Sequence, residues 1–224
     1  MPPELVFQPS LLAGGAPTPD PTFATAERID LGAGAWVDHV PGWLGGADDL
    51  FTELVDTVRW RQREVAMYGD LVVEPRLTAW WGDEEQPDRR LESAPAPLLQ
   101  TLLPALDGRY QRGFDAIGLN LYRNGRDSVA WHGDRYERDR PATVVAVLSL
   151  GSPRRFLLRP VGGGASRAFE LHSGDLLVMG GTCQHTWQHC VPKVARAGPR
   201  MSATFRRRIH PADMRGREVV AGAA

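Results

Sequence analysis

Between Ala116 and Arg207 the chain carries one short apolar segment after another, each closed off by Gly or Pro and none separated from the next by a helical period. Ile117, Leu119 and Leu121 alternate with Gly118, Asn120 and Tyr122, and strand-like segments follow at 144–150, 155–160, 168–171, 176–179, 186–190 and 201–207. Alternation with period two puts successive side chains on opposite faces of a half-buried strand. A run of such strands without intervening helices fits an antiparallel sandwich or jelly roll.

The first half reads differently. Leu50, Leu54, Val55 and Val58 recur at helical spacing from Asp48 on, which predicts an amphipathic helix of about three turns laid against a sheet. Leu98, Leu99, Leu102, Leu103 and Leu106 form a second helical stripe, whose regularity Pro104 limits. Short strands are expected at 29–31, 35–37 and 74–83, and the basic run 59–63 reads as a solvated helix end with Trp60 turned inward. Trp80 and Trp81, adjacent on a strand, must point to opposite faces, one toward the core and one toward a pocket. Residues 1–25, with Pro17, Pro19 and Pro21, read as a poorly ordered N-terminal extension, 26–210 as a single domain and 211–224 as a C-terminal tail. A length of 224 residues suits one domain with a proper core.

A formal net charge of -1 argues against a whole-molecule basic footprint for nucleic acid. No apolar run is long enough for a membrane span, and the first Lys or Arg is Arg28, so no charged leader region is expected. Cys183 and Cys190 are the only cysteines and make no disulfide framework, which fits a cytoplasmic protein.

Chemistry concentrates in Trp131-His132-Gly133-Asp134, at the expected end of a strand. Residues two apart share a face, so His132 and Asp134 can turn one nitrogen and one oxygen toward the same cation. His189 would complete a two-histidine, one-carboxylate set, which with open positions suits a non-haem Fe(II) oxygenase. A hydrolase could use similar ligands, so the discriminating feature is a site for an organic co-substrate. Arg200 and Arg206 fall on one face of the segment 200–206. A guanidinium grips a carboxylate through two parallel hydrogen bonds, and two guanidiniums can hold a dicarboxylate. With Asn120 and Tyr122 as neutral hydrogen-bonding groups, the pocket matches 2-oxoglutarate, its 2-oxo acid end on iron and its far carboxylate on an arginine.

Taken together, these residues resemble the AlkB-like Fe(II)- and 2-oxoglutarate-dependent dioxygenases over roughly Glu74 to Arg207. Asn-Leu-Tyr at 120–122, Trp-His-Gly-Asp at 131–134, Gly-Asp-Leu-Leu-Val-Met-Gly-Gly at 174–181, Trp-Gln-His-Cys-Val-Pro at 187–192 and Pro-Arg-Met-Ser-Ala-Thr-Phe-Arg at 199–206 stand in the family's order. The resemblance implies an α+β fold with a double-stranded β-helix (jelly-roll) core and supporting N-terminal helices. It implies catalytic Fe(II) on His132, Asp134 and His189, and it selects His189 over His185, which is left as a core or supporting histidine. Cys190, beside a ligand, is expected to face the other way and pack. It further implies 2-oxoglutarate held by Asn120, Tyr122, Arg200 and Arg206, with O2 as the second co-substrate. The implied reaction couples decarboxylation of 2-oxoglutarate to succinate with hydroxylation of an N-methyl group on a flipped nucleobase, which then loses formaldehyde. Trp80 or Trp81 could form one wall for that base.

Two departures leave base selectivity open. Asp83-Glu84-Glu85-Gln86-Pro87-Asp88 stands where repair members carry an aromatic Tyr-x-Tyr-Ser-like segment, and Tyr136 stands where they commonly carry an acid. Arg135, Arg138 and Arg140 could contact phosphates, or form a charged loop with Glu137 and Asp139. The leading expectation is a monomeric demethylase of N-alkylated bases in single- or double-stranded DNA or RNA. The alternative is the same chemistry on a protein side chain or small molecule. A non-catalytic jelly-roll binding module comes third, because it gives no reason for the triad and the arginine pair to occur together.

Overall fold

The computed structural model describes residues 5, 7–9, 14–67, 70–81, 96–133 and 143–207. In chain order these form β1 (Thr18–Pro19), β2 (Glu27–Gly32), β3 (Ala35–Val40), β4 (Leu44–Gly45), α1 (Ala47–Thr57), β5 (Glu64–Met67), β6 (Asp70–Val73) and β7 (Leu77–Trp81). There follow α2 (Ala96–Gln100), α3 (Leu103–Tyr110), β8 (Ala116–Tyr122), β9 (Val129–His132), β10 (Val145–Gly151), β11 (Arg154–Pro160) and β12 (Arg167–Leu171). The last elements are β13 (Leu176–Gly181), α4 (Cys183–Thr186), β14 (Trp187–Val191) and β15 (Arg200–Arg206).

A seven-stranded sheet runs β2-β3-β13-β10-β15-β8-β7, and a four-stranded sheet runs β12-β11-β14-β9. Their pairings are antiparallel. Strand alternation divides the core in two. Ile117, Leu119 and Leu121 of β8, Ala146, Leu148 and Leu150 of β10, and Met201, Ala203 and Phe205 of β15 pack beneath Leu50, Phe51 and Leu54 of α1 and Leu106 of α3. Val145 and Val147 of β10 and Leu177 and Met179 of β13 turn the other way, onto Phe156, Leu158, Phe169, Leu171 and Val191 of the smaller sheet. Every residue of β10 is buried because that strand lies between both cores, which is why 144–148 reads as a continuous apolar run. Helices over one sheet and a second sheet under it are consistent with a jelly-roll core.

Some local expectations give way to tertiary structure. The leucine stripe is divided into α2 and α3, and Pro104 stands at the start of α3, where its missing N–H breaks no helical hydrogen bond. The run 59–63 is extended rather than helical: Arg61 exchanges backbone hydrogen bonds with Thr78, and the Trp60 indole N–H reaches back to the Val55 carbonyl. The β5–β6 hairpin follows, pairing Glu64 with Val73, and its second strand exposes Leu71, Val72 and Val73. Within the expected N-terminal extension, β1 pairs with β4, the Gly15 N–H donates to Asp49 at the start of α1, and Phe7 packs on Phe51. No helix among the described residues is long and apolar enough to cross a membrane.

One buried polar cluster steadies the edge of the large sheet. Asp38 is fully buried, accepts from Arg28 Nε and Nη2 at 2.6 and 2.8 Å, and accepts the Tyr110 hydroxyl at 3.0 Å. Burial, together with the Asp38 charge, holds the Tyr110 phenol well above its usual range, so it remains a donor. Asp38→Ala would leave that hydroxyl buried without its acceptor, and should lower stability by about 1–3 kcal/mol in urea unfolding. A variant as stable as the parent would show that water takes over the role.

Candidate metal and co-substrate site

His132 ends β9, and His189 lies directly opposite it on β14, with a register shift just beyond at Val191. The two imidazole centroids are 4.2 Å apart. His189 is buried and stacks on Phe156 at 5.2 Å, which fixes its ring on the inner side of the smaller sheet. His132 Nδ1 is 2.8 Å from the Ala130 carbonyl. A carbonyl only accepts, so the proton sits on Nδ1 and the Nε2 lone pair is left for a cation. Asp134, the expected carboxylate, lies outside the described residues, as do Arg135 and Tyr136. Trp131 occupies the opposite face of β9, where the Arg159 guanidinium stands 4.2 Å from its ring and donates to the Gln188 side chain at 3.3 Å. That contact links β9, β11 and β14 behind the two histidines. Cys190, next to His189, is buried, and burial pushes its thiol up. His185 is half-buried on α4.

The large sheet supplies the other half of the site. Since Met201, Ala203 and Phe205 enter the helix-side core, Arg200, Ser202, Thr204 and Arg206 face inward. On β8, Tyr122 stands opposite Arg200, Asn120 opposite Ser202 and Gly118 opposite Thr204. Arg200 is 1% exposed. Its Nε donates to Ser149 Oγ at 3.3 Å, and its guanidinium carbon lies 5.2 Å from the Tyr122 ring. Nη1 and Nη2 are buried and meet no hydrogen-bond partner among the described residues. Desolvation lowers the Arg200 pKa, which Tyr122 partly opposes, but a guanidinium remains charged in any protein.

Arg154 provides the contrast. It is also buried, yet its terminal nitrogens are spent on the carbonyls of Asn124, Asp127 and Pro192. A buried cation without such partners is unfavourable by several kcal/mol. Two adjacent orphan N–H groups in one plane fit a carboxylate, which supplies both the countercharge and two acceptors. The residues present therefore fit an anionic co-substrate.

Around that guanidinium the remaining expected residues gather unequally. Asn120 Nδ2 lies 3.5 Å from Ser202 Oγ, while its Oδ1 accepts from Arg76 Nε at 2.9 Å. Arg76 is held in turn by Glu74 at 3.0 Å. Sequence reasoning missed Arg76, although counting back in twos from Trp80 through Thr78 reaches it. Trp80 faces this side of the sheet, with Arg206 stacked 4.8 Å from its ring centroid. Trp81 turns to the helix-side core.

Comparisons with known proteins place the chain in a family. The model of the 2OG-Fe(II) oxygenase superfamily matches residues 40–210. Alpha-ketoglutarate-dependent dioxygenase alkB homolog 3 of Bos taurus is 35% identical over 192 residues, covering 79% of this chain and 66% of that protein. Its Homo sapiens counterpart is 35% identical over 184 residues, covering 76% and 64%. DNA oxidative demethylase ALKBH2 of Arabidopsis thaliana is 28% identical over 218 residues, covering 80% and 68%. The chain thus spans slightly less than two thirds of the alkB homolog 3 proteins. The solved structure of OsALKBH1 shares the fold, with a TM-score of 0.50 at 17% identity, over 72% of this chain and 92% of that one.

Proposed function

Because the chain belongs to the 2OG-Fe(II) oxygenase superfamily, we propose that it is an iron- and 2-oxoglutarate-dependent dioxygenase that oxidatively demethylates N-alkylated bases in DNA or RNA. The observation that carries the co-substrate reading is Arg200, a buried guanidinium whose two terminal nitrogens are aimed at no acceptor among the described residues. The nucleic-acid reading draws on the relatives named DNA oxidative demethylase ALKBH2. The fold reading that accompanies it is a double-stranded β-helix with supporting helices.

His132 and His189 would hold the iron from the smaller sheet, with Asp134 as the third ligand. Arg200 would anchor the far carboxylate of 2-oxoglutarate from the large sheet, with Asn120, Tyr122 and Arg206 along its length. When bound, the metal supplies activation of O2 coupled to decarboxylation of 2-oxoglutarate, which is the oxidising equivalent a methyl C–H bond requires. The protein's own work is placement. Arg76 fixes the Asn120 amide by holding its oxygen, which leaves Nδ2 directed toward Ser202 on β15. The hydrogen bond to Ala130 keeps the His132 ring in its ligating tautomer. Phe156 and Tyr122 line the interior and keep water from the charged groups.

Succinate release measured with Fe(II), 2-oxoglutarate and O2 tests the proposal, with and without N-methylated single- and double-stranded oligonucleotides. Succinate formed together with unmethylated base is the expected result. Turnover indifferent to every oligonucleotide would overturn the nucleic-acid reading and favour a protein side chain or small molecule. Absence of succinate in all mixtures would overturn the dioxygenase reading.

A further inference from the structure

β7 is the outermost strand of the large sheet on the side of β8, and Trp80 pairs there with Gly118. Gly118 is a glycine for a spatial reason. A Cβ at that position would come within 2.9 Å of two carbons of the Trp80 six-membered ring. The indole therefore lies in the space that Gly118 leaves open, leaning across β8 toward β15. Gly118 also stands opposite Thr204, two residues from Arg206, and Arg206 places its guanidinium carbon 4.8 Å from the Trp80 ring centroid. Arg206 is the last residue of β15, so its long side chain starts where the strand stops constraining the backbone.

We infer that Trp80 is a positioning residue for Arg206: it fixes that guanidinium against the inner face of the sheet, beside the pocket occupied by the co-substrate, and is not a stacking surface for a substrate base. The inference rests on the 2-oxoglutarate reading above. An arginine side chain loses rotamer entropy when it is fixed, and an aromatic surface that already holds its planar fork reduces what is lost on binding an anion. A base could stack on the ring face that carries Arg206 only by displacing the guanidinium. Trp81, packed on the helix side, offers no substitute surface.

The test uses the full chain loaded with Mn(II) under nitrogen, so that binding is read without turnover. Calorimetric titration gives the Kd for 2-oxoglutarate, and fluorescence anisotropy gives the Kd for an N-methylated single-stranded oligonucleotide. The variants are Trp80→Phe, Trp80→Leu and Gly118→Ala. Trp80→Leu should weaken 2-oxoglutarate roughly five- to tenfold, the range of a partly desolvated cation–π contact. Trp80→Phe should fall between it and the parent, since it keeps a smaller ring in the same place. Gly118→Ala, which displaces the indole, should also weaken 2-oxoglutarate. None of the three should change the oligonucleotide Kd by more than about twofold, within the scatter of such contacts. Unchanged 2-oxoglutarate affinity in Trp80→Leu would overturn the inference, as would a larger loss for the oligonucleotide than for 2-oxoglutarate. If the parent chain itself binds no 2-oxoglutarate, the functional reading fails along with the inference. If the parent binds 2-oxoglutarate and Trp80→Leu binds it equally well, the inference alone is overturned.

Discussion

Arg200→Met should remove 2-oxoglutarate binding while leaving the ligand-free protein as stable as the parent or more so. The expectation follows from the state of this one side chain. Arg200 is buried and its Nη1 and Nη2 meet no hydrogen-bond partner among the described residues, so the ligand-free fold bears a desolvated charge that Ser149 and Tyr122 offset only in part. Methionine is similar in bulk and removes that charge, and exchanging buried ionic groups for apolar ones of similar volume is often neutral or stabilising by about 1–4 kcal/mol. Binding should move the other way. Truncating one member of a buried, hydrogen-bonded charge pair costs about 2–5 kcal/mol, enough to raise the 2-oxoglutarate Kd by two to three orders of magnitude. Thermal denaturation with and without 2-oxoglutarate reads both effects at once, because a ligand that binds only the folded state raises Tm. The parent should gain Tm on adding 2-oxoglutarate, and the variant should start no lower and gain nothing. Arg200→Lys should recover only part of the affinity, since an ammonium is a point charge without the two parallel donors. A variant that loses several degrees in the ligand-free state would mean that Arg200 has a structural partner and is not waiting for an anion.

The second large effect concerns the histidines. His132→Ala and His189→Ala should each abolish iron retention and lower succinate formation by at least about a thousandfold, because removal of one of three ligands leaves no stable facial site. The two substitutions should differ in stability. His189 is buried on Phe156, so removing its ring opens a void in the inner core, and a loss of about 1–3 kcal/mol is expected. His132 is half-buried at a strand end, and its loss should be milder. Metal content after desalting, alongside chemical denaturation, separates the two consequences. Asp134→Ala should match the histidine variants in metal loss. Full iron occupancy in any of the three would remove that residue from the ligand set.

What the sequence shows of this architecture follows from what alternation can encode. Period two in β8 and β15 separates Asn120, Tyr122, Arg200 and Arg206 from the aliphatic residues between them, and the inner and outer cores divide along that line. The same rule places Trp80 and Trp81 on opposite faces. It cannot say which face a ligand uses, and the contact between Trp80 and Arg206 depends on Gly118, a residue from a third strand. The β5–β6 hairpin is illegible for a different reason. Its second strand exposes Leu71, Val72 and Val73 in succession, so the sequence lacks the apolar-polar alternation that marks a half-buried strand. The basic residues ahead of it read as a helix end only because they continue directly from the apolar stripe of α1, whereas the Arg61–Thr78 exchange that makes the segment extended is tertiary. Burial of Arg200 is likewise invisible in one dimension. Arg154 and Arg200 read alike as arginines at strand starts, and only the folded chain shows that the terminal nitrogens of one are taken by three carbonyls while those of the other meet no partner among the described residues.

The central claim is that the two sheets meet around one metal and one dicarboxylate, and a crystal structure grown anaerobically with Mn(II) and 2-oxoglutarate tests it most directly. The account predicts density for the metal at His132, Asp134 and His189, and for the far carboxylate of 2-oxoglutarate within hydrogen-bonding distance of Arg200 Nη1 and Nη2. A metal bound at those residues with 2-oxoglutarate lying elsewhere, or an Arg200 whose terminal nitrogens are satisfied by the protein in the presence of saturating ligand, would contradict it.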